Sequence, residues 1–234
     1  IFLDELLQSY FAEQRLGVFA AGPKLGLHSA VTRREPIMRV TPPAAGALAG
    51  NDRRRLLIPS RPEGDGSGNL HELAVMALDL AVLNGHFRDW DLAGIARPGG
   101  EGSAIVLPRS RARMRLVPAI ADEQRAGLLR QFDVGVALRY APGLGPAPIE
   151  MASAGMSVVT ATFAEKSPAA LAAISENLIP AEARVEAIAA GLAQAERRTG
   201  DVEGRVAGAA IEWPVTWDET FDDSTMEAIE RLAE

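Results

Sequence analysis

Residues 132–163 constrain this chain more than any other stretch: Phe-Asp-Val-Gly-Val-Ala-Leu-Arg-Tyr, a Gly/Pro loop, then Pro-Ile-Glu-Met-Ala-Ser-Ala-Gly-Met-Ser-Val-Val-Thr-Ala-Thr-Phe. The order reads as strand, loop, short helix, strand. Val134, Val136 and Leu138 alternate with smaller residues, as in a strand near the middle of a sheet. Residues 141–147 hold two prolines and two glycines and disfavour either regular structure. Pro148 is placed where a first helical turn tolerates it, because that position needs no backbone N–H. Glu150 is expected in the same turn, Gly155 at the helix end, and a second strand over Ser157 to Thr162. Ligands of open α/β sheets bind just outside the carboxyl ends of strands, so Tyr140 to Glu150 are expected to border a site.

These residues carry a family resemblance. Tyr140-Ala141-Pro142, Pro148-Ile149-Glu150-Met151-Ala152, Gly155, Val158 to Phe163 and Lys166 follow one another in this order. The string resembles the donor-site segment of B-type-fold (GT-B) glycosyltransferases. It is most similar to the bacterial branch typified by the S-layer rhamnosyltransferase WsaF. The resemblance implies that Glu150 holds the ribose hydroxyls of a donor nucleotide, a task that two carboxylate acceptor oxygens suit. Local physics offers another role for Glu150, as an acid near a helix N-terminus worth about 0.3–1 kcal/mol.

Upstream, Phe2, Leu3, Leu6, Leu7, Tyr10 and Phe11 recur at helical spacing and predict an amphipathic helix over 2–15. Prolines 36, 42 and 43, followed by small residues, mark 36–50 as a linker. The expected organisation is the end of an acceptor-side domain plus linker over 1–50, a Rossmann-like donor-binding domain over 51–212 and a helical segment over 213–234. Within the second unit, Leu56-Leu57-Ile58 is a buried strand, Arg61 to Asn69 a turn containing Gly64, Gly66 and Gly68, and Leu70 to Leu83 a helix. Such a turn can bring backbone donors to a phosphate. It can equally be a surface turn capped by Asn69, and Glu63 and Asp65 would repel an anion. By the resemblance, Arg61 contacts the donor's diphosphate, with a guanidinium fork suited to it. The family's second diphosphate cation, a lysine after Leu-x-Pro, falls at Ala119, and its His, Ser and Tyr before the glutamate fall in Gly143 to Ala147.

Further strands are expected at Asp89 to Ile95, Ala104 to Leu107 and Met114 to Val117, and helices at Asp122 to Gln131, Ala169 to Ile174 and around Val185 to Ala195. Arg109, Arg111, Arg113 and Arg115 alternate; on a strand all four would share one side, as a solvated edge or an anion site. Trp213 and Trp217 read as packing residues ahead of an acidic helix from Ser224. Tyr140 either stacks on the donor or packs at its strand end.

Composition removes other classes. A net charge of −7 lacks the basic footprint of a general nucleic-acid binder. The chain has no cysteine, so neither disulfides nor thiolate metal sites are available to it, and its three histidines have no partner at ligand spacing. No metal or other cofactor is therefore expected. No apolar run reaches a membrane span and no secretory signal opens the sequence, which allows a cytoplasmic address. Neither a Walker loop nor a dinucleotide fingerprint is present. The fold class expected is α/β, a parallel sheet with helices on both faces. The resemblance implies sugar transfer, of rhamnose or another deoxysugar, from a nucleotide-diphosphate donor to a glycan acceptor, with Arg61, Glu150, Tyr140, Gly66 and Gly68 in the donor site. It also implies an acceptor-side partner domain, detached from this chain by truncation or by separate encoding. The alternative is a noncatalytic relative that keeps the fold as a binding or scaffolding module.

Overall fold

The structure, a computed structural model, describes residues 34–49, 54–59, 69–96, 102–118 and 121–233. The expected helix over 2–15 and the turn carrying Arg61, Gly66 and Gly68 lie outside them.

Among the described residues seven strands form one sheet: β1 (Arg55–Ile58), β2 (Asp91–Ile95), β3 (Ala104–Val106), β4 (Arg113–Val117), β5 (Val134–Val136), β6 (Ser157–Ala161) and β7 (Leu178–Ala181). Their order is β3-β4-β2-β1-β5-β6-β7. Every neighbouring pair is parallel except β3 with β4. The chain therefore winds outward from β1 through β2 and β4, then returns to start again at β5 on the other side of β1. This is the doubly wound arrangement of a Rossmann-like sheet with an antiparallel strand added at one edge. β7 occupies the opposite edge, which accounts for Pro180 inside a strand: an edge tolerates a residue that cannot donate a ladder hydrogen bond.

Alternation along β1 divides the core. Leu56 and Ile58 face one side with Val134, Val136, Val159 and Ile179. Against them pack α2 (His71–Leu83), through Ala77, Leu78 and Ala81, and α6 (Val185–Arg198), through Ile188, Leu192 and Ala195. Leu57, Ala93 and Val158 face the other side. There they meet α3 (Asp122–Leu129) through Leu129, α4 (Pro146–Ser153) through Ile149, Met151 and Ala152, and α5 (Pro168–Ile174) through Leu171. Ile37, Val40 and Leu48, the last on α1 (Ala45–Ala49), are buried, and the first two join this second face. Residues 34–40 are bound along the C-terminal segment. Ile37 N–H donates to Pro214 O at 2.9 Å, Trp213 Nε1 to Glu35 O at 2.8 Å, and the Arg34 guanidinium lies 4.6 Å from the Trp213 ring centroid. Trp213 is thus a packing residue, whereas Trp217 is 51% exposed and stacks on Phe221.

Two expectations need correction. Arg113 and Arg115 lie on β4, but Arg109 and Arg111 belong to the turn before it, with Arg111 at φ 61°, so the four do not form one row. That turn is held by buried Asp79 on α2, whose carboxylate accepts from Arg109 N at 2.9 Å and Ser110 N at 2.8 Å. Arg115 is paired with Asp91 at 2.8 Å. Helix α4 begins at Pro146, which puts Glu150 in its second turn and removes the N-terminal dipole role considered for it. The helices α7 (Val202–Ala209), α8 (Trp217–Thr220) and α9 (Asp223–Ala233) follow; α7 and α8 were not expected, nor was α1 within the expected linker. No helix among the described residues is long and apolar enough to cross a membrane.

Candidate functional site

β1 pairs with β2 on one side and β5 on the other, so the strand order reverses between β1 and β5. Chains leaving the carboxyl ends of those two strands diverge to opposite faces and leave a crevice between them. A cleft of about 420 Å³ lies there. Pro59 lines it after β1, Ala137, Leu138 and Arg139 after β5, Leu144 to Pro148 at the start of α4, and Asn69 ahead of α2. The wall is mostly apolar, with Arg139 and Asn69 as its polar side chains among the described residues.

Both helices that open onto this crevice have unusual first turns. Leu70 precedes α2 in a left-handed conformation, φ 49°, while Asn69 Oδ1 accepts from His71 N at 3.1 Å. Gly145 precedes α4 at φ +71°, a backbone that L side chains rarely adopt. Pro146 and Pro148 then occupy the first turn, and neither has an N–H to offer.

The loop between β5 and α4 is anchored from behind. Lys166 is fully buried, and its ammonium donates to Arg139 O at 2.8 Å and Ala141 O at 3.0 Å. These carbonyls bracket Tyr140. Tyr140 is 57% exposed, meets Phe163 edge-on with centroids 4.6 Å apart, and lines a second hollow of about 470 Å³. That hollow lies over β6, α2 and the start of α6, with Leu70, Leu73, Thr162 and the Glu182–Arg184 region around it. Tyr140 therefore both packs at its strand end and presents a face to solvent.

Glu150 is buried, and its carboxylate is engaged within the chain. Oε1 accepts from Met38 N at 2.9 Å and from Arg125 Nη2 at 3.4 Å. Among the described residues both bonds fall on that one oxygen. Glu150 is not among the described residues lining the 420 Å³ cleft, although it is on the helix that opens onto it. Of the five residues expected in the donor site, Tyr140 and Glu150 are thus placed near the β5–α4 loop, at different positions, and Arg61, Gly66 and Gly68 lie outside the described residues. Sequence reasoning passed over Arg139. Its position just past a buried strand was a readable signal, since residues there face the crevice.

A doubly wound sheet with a cleft at this reversal is a Rossmann-like arrangement, and solved structures match it to the C-terminal half of the GT-B glycosyltransferase fold. A glycosyltransferase from Rickettsia africae ESF-5 aligns over 99% of this chain and 62% of its own, with TM-score 0.64 and 13% identity. A sucrose-phosphate synthase from Thermosynechococcus elongatus aligns over 100% and 58%, with TM-score 0.57 and 15% identity. For an α,α-trehalose-phosphate synthase (UDP-forming) from Burkholderia vietnamiensis the values are 99%, 59%, 0.56 and 14%. This chain thus spans about three fifths of the length of each. Residues 54–193, more than half of the chain, match the family model "WsaF, C-terminal domain", and the chain belongs to that family. No curated protein matches it.

Proposed function

We propose that this chain is the donor-binding half of a glycosyltransferase and holds a nucleotide-diphosphate sugar at the β1/β5 crevice. The observation that carries the reading is the coincidence of the strand-order reversal with a cleft of about 420 Å³. One solved relative of the same fold is named for a UDP-forming reaction, which makes a nucleoside diphosphate the natural first probe. In this reading Glu150 holds the nucleoside ribose, Arg61 and the turn around Gly66 and Gly68 meet the diphosphate, and Tyr140 borders the donor. Binding charge at the departing diphosphate is the part of transfer chemistry such a half can supply. The sugar is rhamnose or another deoxysugar, the acceptor a glycan, and a separate acceptor-side domain completes the enzyme in the cytoplasm.

A second reading is a noncatalytic relative. It is favoured by the apolar wall of the cleft and by Glu150 Oε1 being taken up by Met38 N and Arg125. Thermal shift with thymidine and uridine diphosphates and their sugars separates the two. Stabilisation that disappears in Glu150→Ala and Arg61→Ala supports donor binding. A folded protein whose melting temperature responds to none of the panel supports the noncatalytic module.

A further inference from the structure

We infer that Arg139 is a further cation on the donor's diphosphate, beside Arg61, and that Lys166 is the residue that sets it in place. This rests on the donor-binding reading and deepens it.

Three observations converge on this cleft. Helix α4, whose start lines the cleft, is a poor anion binder, because Pro146 and Pro148 remove two of its first-turn N–H donors. Arg139 lines the same cleft, and none of its side-chain N–H groups is bonded to a described residue. Arg54, Arg55, Arg115, Arg125, Arg184, Arg198 and Arg205 pair with carboxylates, and of the described arginines that do not, Arg88, Arg111, Arg113, Arg130 and Arg197 included, Arg139 alone lines this cleft. Last, the guanidinium is folded over Gly145: a Cβ built there would lie 2.9 Å from Arg139 Nη1. The glycine at the head of α4 thus leaves room for a cation where the prolines have removed the donors.

Burying an ammonium is costly unless its donors are satisfied. Lys166 is 0% exposed and spends two of its three donors on the carbonyls of Arg139 and Ala141. Those bonds fix the backbone from which the Arg139 side chain leaves, so Lys166 acts as a positioning residue.

The test compares diphosphate-bearing and diphosphate-free probes, read by ligand-detected NMR so that millimolar affinities count. Uridine and thymidine diphosphates are titrated against uridine and thymidine, with wild type, Arg139→Gln, Arg139→Lys, Lys166→Met and the Arg139→Gln/Lys166→Met double variant. Arg139→Gln should weaken both diphosphates about tenfold or more and leave the nucleosides unchanged, as removal of a charge-assisted contact does. Arg139→Lys should recover part of the loss. Lys166→Met should produce a similar selective loss and add little in the double variant. If Lys166→Met does not fold, Lys166→Arg, which keeps the charge, is measured in its place and should retain most of the diphosphate affinity. Diphosphate binding untouched by Arg139→Gln, or nucleoside binding lost in parallel, overturns the Arg139 assignment. Additive losses in the double variant, or a Lys166→Arg variant that loses diphosphate and nucleoside alike, overturn the role of Lys166. Wild type that binds neither class overturns the donor-binding reading itself, and this inference with it.

Discussion

Asp133 and Arg205 form an ion pair of 3.2 Å in which both side chains are 0% exposed. It lies at the amino ends of the strands, away from the cleft. Arg205 Nε also donates to Gly155 O at 2.8 Å, ahead of β6, and Nη1 to Thr199 O at 3.2 Å. Asp133 Oδ2 accepts from Arg55 N at 3.2 Å at the start of β1. One buried pair therefore ties β1, β5, β6 and the end of α6 together. Burial pushes the Arg205 guanidinium below its ordinary pKa, and the Asp133 charge beside it pulls the other way.

Removing one partner leaves the other charged and without its counter-ion. Asp133→Ala and Arg205→Ala should each cost about 3–5 kcal/mol in denaturant unfolding. Arg54, whose Nη1 reaches Asp133 at 3.4 Å, has a side chain 36% exposed, so Arg54→Ala should cost less than about 1 kcal/mol. Equal losses for all three would show that the energy resides in general packing rather than in the pair. At temperatures where the variants stay folded, nucleotide affinity should be unchanged.

Gly135 in the middle of β5 is required by what lies above it. A Cβ there would run into Met151 Cε and come within 3.1 Å of Met156 Cε, both on buried side chains. Gly135→Ala should destabilise by about 1–3 kcal/mol through overpacking. Shortening Met151 to Val in the same protein removes the clashing atoms, so the two changes should be non-additive by calorimetry. Strict additivity would mean that the glycine is needed for backbone reasons alone.

Much of this architecture was legible because local and global signals agree. Leu56 to Ile58, Val134 to Leu138 and Ser157 to Thr162 are apolar runs bounded by breakers, and each became a strand. Gly155 ends α4 as expected, at φ +82°. Helix α7 was hidden because Gly204 and Gly208 argue against a helix on propensity. Tertiary contacts override that: Asn177 Nδ2 donates to Arg205 O at 2.8 Å, and a Cβ on Gly208 would lie 2.6 Å from Asn177 Oδ1. The arginine alternation misled because it ignored a turn that only the distant Asp79 reveals. At the site, the family string picked out Glu150 and Lys166 as residues of interest. It could not show that Glu150 accepts from an amide 112 positions away, or that Lys166 anchors the backbone of Arg139.

Asp79 offers a pH-dependent check. Burial raises its pKa, but hydrogen bonds from Ser110 and Arg109 outweigh that and hold the carboxyl below its ordinary value. A folded pKa below the unfolded one means that the contribution is fully present above about pH 4. It fades as pH falls from there through the folded value. Wild type should therefore lose stability on acidification below pH 4, and Asp79→Ala should lose less over that interval. At pH 7 the same variant should already be about 2 kcal/mol weaker, because two turn amides lose a charged acceptor. Parallel acid limbs in urea titrations of the two proteins would assign the acid loss to other carboxylates.

Glu150 has a structural duty and a proposed ligand duty, and two substitutions divide them. Gln keeps an acceptor oxygen for Met38 N, whose bond to Oε1 is 2.9 Å, while giving up the charge that faces Arg125 at 3.4 Å. Ala gives up both and leaves the Met38 amide to find another partner. Glu150→Ala should accordingly lower stability by about 1–3 kcal/mol, with Glu150→Gln well inside that. Nucleoside affinity should follow a different order if the free oxygen takes a ribose hydroxyl. Both variants then weaken binding, because an amide that keeps Met38 satisfied has only its NH₂ left to present where a second acceptor was. A Glu150→Gln protein with wild-type stability and wild-type nucleoside affinity would leave this carboxylate with the single task of fastening residues 34–40 to α4.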